Sequence, residues 1–261
     1  MDHRSRSEAT QMGWGEDHPA PWRLPRRGFL AFLAGGAAVA ALPGRGPALG
    51  PAEAAAAAGH GAGKAVPPDE ALKRLMEGNK RFVAGRPRHP NQGPRRRSEV
   101  AQGQHPFAVI LGCADSRVPP EVVFDQGLGD LFVIRVAGNI VDDAVLGSIE
   151  YAVEHLGARL IMVLGHAKCG AVAAALEVAG KGGSIPGHIA SLLKPILPAV
   201  EAVKGQAGDP LDNAVRANVE RVVGQLRSSE PVLAEMVRGD KVKMVGARYD
   251  LKTGEVQITT T

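Results

Sequence analysis

The sequence predicts an α/β protein: a mainly parallel central sheet flanked by helices. Three strand-length runs carry that expectation: Phe107–Cys113 (FAVILGC), Leu131–Gly138 (LFVIRVAG) and Arg159–Gly165 (RLIMVLG). A strand buried on both faces reads as a near-continuous apolar run, and such strands belong to parallel sheets. Helical patterns stand between and after the runs, as a βαβ succession requires. With 261 residues, 44% of them hydrophobic, the chain has material for one sizeable core.

Residues 1–58 read as an address rather than a folded domain. Arg26-Arg27-Gly28-Phe29-Leu30 resembles a twin-arginine export signal. The apolar stretch Phe29–Leu42 falls short of the about 20 residues that a membrane span needs. Small residues around Ala54–Ala58 supply a processing region. On this reading residues 59–261 form the mature domain, periplasmic or extracellular, with no stable membrane span after processing. Removing residues 1–58 takes away six arginines and five acidic residues, so the net charge of +4 barely changes. No basic stripe is interleaved with aromatics, which argues against a nucleic-acid partner.

The remaining elements follow in order. Asp69, after Pro68, is the expected N-cap of a helix with Leu72, Leu75 and Met76 on one face and Phe82 and Val83 beyond. Pro and Gly break the pattern over residues 85–97, a loop in which Arg95–Arg97 are a solvated charge run. Residues 144–157 predict a helix stopped at Gly157, and residues 169–180 another stopped by glycine. Further helices are expected over Ile189–Val203 and Leu211–Leu226. Residues 241–250 and 255–260 predict two more strands joined at Thr253-Gly254.

The chain has only two cysteines, and both close strands. Cys113-x-Asp115 follows the first run; His166-x-x-Cys169 follows the third. Parallel strands present their carboxyl ends along one edge, where ligand crevices form, so these distant groups can meet. Thiolate and imidazole are zinc's preferred ligands, and a Cys2His set with one open position is a catalytic arrangement. Three other readings stand beside it: a disulfide in an exported protein, a closed structural site with Asp115 as fourth ligand, and two cysteines buried as small hydrophobes. Asp115 and Arg117 point the same way in extended backbone, where Arg can grip the carboxylate through two bonds and draw it off a metal.

These residues resemble the β-class carbonic anhydrases. CADSRVPPEVVFDQGLGDLFVIRVAGN followed by GHAKCGA carries the resemblance, which extends from about Asp69 to the C-terminus. It implies one Zn2+ per subunit on Cys113, His166 and Cys169, with Asp115 and Arg117 as a catalytic dyad and Asp115 on the metal only in a closed state. It further implies substrate-binding roles for Gln104, Phe132, Tyr151 and Gly170, with Phe132 and Tyr151 reached from a neighbouring subunit. Read without the family, Gln104 is a loop amide and the two aromatics are core residues. The implied reaction is reversible hydration of carbon dioxide to bicarbonate and a proton, with Tyr151 or His155 available to a proton relay. The family's bicarbonate-regulated type has tryptophan three residues before the first zinc cysteine. Ile110 stands there, which implies the unregulated type. The family's building block is a dimer, so the resemblance implies a homodimer or higher even-numbered assembly, with the N-terminal helix packing on its partner. Two alternatives remain at this point: a carbon disulfide or carbonyl sulfide hydrolase on the same fold, and a non-catalytic exported zinc-binding module.

Overall fold

The computed structural model describes residues 65–183, 185 and 187–261; the address reading of residues 1–58 lies outside the described residues. Five strands form one sheet: β1 (Ala108–Gly112), β2 (Leu131–Arg135), β3 (Leu160–His166), β4 (Lys243–Tyr249) and β5 (Val256–Thr260). Their order is β2-β1-β3-β4-β5. The first four run parallel, and β5 pairs antiparallel with β4. The helices are α1 (Pro68–Val83), α2 (Pro94–Val100), α3 (Pro120–Val123), α4 (Asp143–Glu154), α5 (Gly170–Lys181), α6 (Ile189–Leu193), α7 (Leu197–Ala202), α8 (Pro210–Arg227) and α9 (Val232–Arg238).

The apolar runs behave as strands buried on both faces should. Val109, Leu111, Ile161 and Val163 face a core shared with α4, α8 and α9. Ala108, Ile110, Leu160, Met162 and Leu164 face the other way, onto Ala71 and Leu75 of α1 and the Val123–Phe124 corner. A third cluster holds Cys113 and Cys169 among residues of α5, α6, α7 and α8. The second run differs from the other two. Among the described residues it pairs only with β1, and its side chains are half-buried, with Arg135 exposed.

Several boundaries depart from the sequence expectation for local reasons. The cap position of α1 is Pro67, not Asp69. Pro68 fills the first helical position, where its missing N–H costs nothing. Asp69 instead accepts from Lys243 Nζ at 2.8 Å. The expected loop contains α2, started by Pro94, and Arg96 there donates to the Leu128 carbonyl at 2.9 Å. That bond depends on a turn remote in sequence, so no local pattern announces it. The helix expected over Ile189–Val203 is split into α6 and α7, because Pro195 and Pro198 lack the amide needed to continue the ladder. The second strand stops at Arg135, and a 3-10 turn, Ala137–Asn139, follows it.

The topology fixes where a site can form. From β1 the chain moves to β2 on one side, and α4 then carries it back to β3 on the other. A parallel sheet that reverses direction this way opens a crevice between the carboxyl ends of the two strands, here β1 and β3.

Helix α8 sits close over the same sheet because two strand positions have no side chain. A β-carbon at Gly165 would lie 2.5 Å from Val219 Cγ2, and one at Gly246 would lie 2.7 Å from Val219 Cγ1. Gly165→Ala is therefore expected to destabilise the protein by about 1–3 kcal/mol through overpacking. Combined with Val219→Ala it should cost less than the sum of the two single changes. Urea unfolding measures both; strict additivity would show that Val219 is not what limits the space.

Candidate metal centre

Strand β1 delivers Cys113 one residue beyond its end, and β3 ends on His166 itself. A two-residue turn follows, with Lys168 at φ 54°, and places Cys169 at the N-cap of α5. The ligand atoms of Cys113, His166 and Cys169 all lie within 4.8 Å of one another, and all three residues are buried. Both cysteines are free, which sets aside the disulfide reading.

The imidazole shows what the cluster is built for. His166 Nδ1 lies 2.9 Å from the Ala167 carbonyl, which can only accept, so Nδ1 carries the proton. Nε2 is left with a lone pair, buried and without a hydrogen-bond partner among the described residues. An orphaned buried acceptor costs its full desolvation. A metal that takes the lone pair removes that cost. Two thiols and one bare imidazole nitrogen are the donor set of zinc, and the Ala167 carbonyl is the outer-shell partner that orients a metal-binding histidine.

Local groups favour thiolate at Cys113. The Gly138 N–H donates to Cys113 Sγ at 3.3 Å. The Cys113 thiol is drawn down first by the hydrogen bond from Cys169, against its burial, and then by His166 and the Gly138 amide. Cys169 is pushed up first by its bond to Cys113 and then by burial, although the Ala171 and Val172 amides of the α5 N-terminus pull the other way. A metal ion displaces the protons of the thiols it binds. Burial alone would lower His166, but the Cys113 thiolate and the Ala167 carbonyl hold it up.

Asp115 stands beside the cluster and is gripped by Arg117. Its Oδ1 accepts from Arg117 Nε and from the Arg117 backbone N–H, both at 2.9 Å, and Oδ2 accepts from Nη2 at 2.7 Å. These bonds outweigh partial burial and hold the carboxyl well below the usual carboxylate range. Oδ2 lies 3.7 Å from His166 Nε2, so the dyad borders the metal position while bonded to Arg117. Arg135, which the sequence reading did not single out, donates to the Cys113 carbonyl at 3.1 Å and the Asp115 carbonyl at 2.6 Å. It ties the Cys113–Asp115 loop to the end of β2.

The other expected site residues fall in two places. Gly170 opens α5, next to Cys169. Gln104 is exposed in the segment before β1, at the opposite end of that strand from Cys113. Phe132 lies opposite Val109, so the strand rise puts it about 13 Å short of the Cys113 level. Its ring is 6.5 Å from that of Tyr151, which is 42% exposed. One chain therefore assembles the metal ligands and the dyad, and leaves Gln104, Phe132 and Tyr151 at the other edge.

Comparison with known proteins agrees with this geometry. A family model for carbonic anhydrase matches residues 108–256. The chain is 46% identical over 187 residues to carbonic anhydrase 2 of Mycobacterium tuberculosis, covering 72% of this chain and 90% of that one. It is 42% identical over 191 residues to the carbonic anhydrase of Mycolicibacterium smegmatis, covering 73% and 93%. The chain belongs to the β-class carbonic anhydrases. Among solved structures, the β-carbonic anhydrase CcaA superposes with a TM-score of 0.58 at 26% identity, covering 72% of this chain and 94% of that one. A tetrameric β-carbonic anhydrase of the ascomycete Sordaria macrospora gives a TM-score of 0.57 at 26% identity, covering 72% and 96%. The family uses zinc, and the donor set above fits it.

Cys169→Ser should abolish stoichiometric zinc, read as metal per chain after dialysis against a weak chelator. A variant that kept one equivalent of zinc would remove Cys169 from the ligand set.

Proposed function

We infer that the chain catalyses the reversible hydration of carbon dioxide to bicarbonate and a proton, with zinc on Cys113, His166 and Cys169 and the Asp115–Arg117 dyad beside it. The observation that carries this reading is the convergence of three buried ligand atoms at the β1–β3 crevice, with an oriented carboxylate 3.7 Å from the imidazole. Zinc, when bound, supplies Lewis acidity that turns water into a nucleophile near neutral pH.

The protein's own groups do the rest. Asp115 is ionised and its lone pairs are fixed by Arg117, so it can only accept. It takes a hydrogen bond from the attacking water and turns that oxygen's free lone pair toward the carbon of the substrate. Carbon dioxide offers little charge to grip, which suits an apolar wall of Phe132 and Tyr151 with one amide donor, Gln104. Gly170 opens α5 directly after Cys169, where a backbone N–H is available to the substrate. Tyr151 and His155 have ring centroids 5.2 Å apart and provide groups for passing the released proton outward.

A second copy of the chain completes this site. Phe132 lies about 13 Å short of the level of its own Cys113, Gln104 and Tyr151 lie toward that same end of the sheet, and a tetrameric relative shares the fold. A homodimer or higher even-numbered assembly brings one chain's Gln104, Phe132 and Tyr151 to the other's zinc, with α1 available to pack on the partner. The motif Arg26-Arg27-Gly28-Phe29-Leu30 supports export by a twin-arginine route to the periplasm or beyond. The intact dyad argues against a purely structural metal, which needs neither Asp115 nor Arg117. Relatives named as carbonic anhydrases at 42–46% identity favour carbon dioxide over carbon disulfide or carbonyl sulfide.

Stopped-flow hydration of carbon dioxide tests the reaction. Asp115→Asn should keep its zinc and lose at least about 100-fold in kcat; turnover like the wild type would remove Asp115 from the mechanism. Mixed oligomers test the shared site. Gln104→Ala and Asp115→Asn chains, each weak alone, should regain activity when co-assembled, because one metal site in the hybrid then has an intact dyad and an intact glutamine. No regain would place Gln104 in its own chain's site.

A further inference from the structure

Asn218 takes no part in the chemistry above, yet it is the polar side chain that α8 sends toward the metal centre. It is 1% exposed. Its Nδ2 donates to the Gly138 carbonyl at 2.9 Å, and its Oδ1 is buried with no partner among the described residues. Filling a core position with an amide that leaves one group unpaired is costly, and an apolar side chain of similar size would avoid that cost. The donor bond is the evident return.

That bond holds a turn the chain does not favour. Gly138 has φ 75° and ψ 13°, and Asn139 follows at φ 44°, so two successive residues are left-handed and only the first is glycine. Asn139 is itself 2% exposed, with its Nδ2 unpartnered among the described residues. A β-carbon at Gly138 would meet Ile196 Cδ1 at 2.6 Å, so the turn is pressed against α6–α7 on one side and tied to α8 on the other. The product of this confinement is one directed group: the Gly138 N–H, 3.3 Å from Cys113 Sγ. The neighbouring Val219 seats α8 over Gly165 and Gly246, which sets the height from which Asn218 reaches.

We propose that Asn218 is a positioning residue of the metal centre: by holding the Gly138 carbonyl it keeps the Gly138 amide on the Cys113 sulfur and so sets how much charge that sulfur gives to zinc. The proposal rests on Cys113 being a zinc ligand. Outer-shell partners of this kind govern metal affinity as well as ligand orientation. An N–H bonded to a thiolate stabilises the charge on sulfur; without it the sulfur competes more strongly for protons and its electrons lie higher.

The test uses the full zinc-loaded chain with Asn218→Leu, and Asn218→Ala as a smaller variant in case leucine does not fit. Zinc affinity by chelator competition should fall about 10- to 100-fold. In the cobalt-substituted protein the thiolate-to-metal charge-transfer band should move to longer wavelength. Wild-type affinity and an unmoved band, with only the thermal midpoint lowered, would make Asn218 an ordinary core residue and overturn the proposal. Should neither variant fold, the wild-type protein loaded with cadmium-113 still decides. A through-bond coupling from cadmium to the Gly138 amide proton, with slow exchange of the Asn218 side-chain amide protons, is expected. Absence of either overturns the proposal. Failure of the ligand reading is separate: it would appear as one equivalent of zinc retained by Cys113→Ser.

Discussion

Parallel pairing of β1 with β3 sets the spacing of the metal ligands before any ion is bound. Gly112 stands opposite Leu164, so Cys113, just past the end of β1, lies beside Gly165 and His166, the last two residues of β3. Neighbouring strands are about 4.8 Å apart, which is the scale of the ligand cluster itself. The third ligand needs only the short Ala167-Lys168 turn. A site made this way draws its rigidity from the sheet, whose strands are buried by two cores, and not from the loops that carry the side chains. The ordering entropy of the two strand ends is met by folding, so the ion finds its ligands already gathered.

Concentrating two thiolates in a buried crevice creates an electrostatic problem, and the surrounding structure answers it with fixed dipoles and two arginines. The Gly138 amide faces Cys113, and the first amides of α5 face Cys169. Arg117 neutralises Asp115, and Arg135 binds the carbonyls on either side of Ala114. The donors at the sulfurs are backbone groups, held by turns and a helix terminus, and they need no reorganisation when charge changes. Arg117 is half exposed, so the dyad stays in contact with solvent while the ligands stay dry.

Legibility in the sequence followed the range of the interactions. The strands were readable because each carries its own burial pattern, and Cys113, His166 and Cys169 because two short motifs sit at strand ends. The Asp115–Arg117 pair was readable because its members are two residues apart. What escaped was settled by contacts across the fold. Helix α2 is tied to the rest of the fold by Arg96 reaching Leu128, a bond between segments 32 residues apart. The 3-10 turn after β2 looked like strand, because Val136 continues the apolar pattern and the left-handed backbone at Gly138 and Asn139 is imposed by neighbours. Asn218 carries no local signal within the helix expected over Leu211–Leu226, because its partner lies 80 residues away. The AGN triplet ending the second run was the available signal, since glycine followed by asparagine marks left-handed backbone.

The half-buried second strand joins the fold to the proposed assembly. A sheet edge with unpaired backbone groups and apolar side chains invites association, and proteins cover such edges or guard them with charge. Here β2 carries Phe132, Val133 and Ile134, and the nearby Tyr151 ring is open to solvent, with only Arg135 as a charge on the strand. Those apolar groups make poor surface and a good wall for an uncharged substrate. Placing them against a second copy's crevice removes both difficulties together: the edge loses its exposure, and the metal site gains an apolar wall for its substrate. On this view pocket and interface cannot be optimised separately, because a substitution that made the β2 face more soluble in an isolated chain would strip the partner's site of its wall.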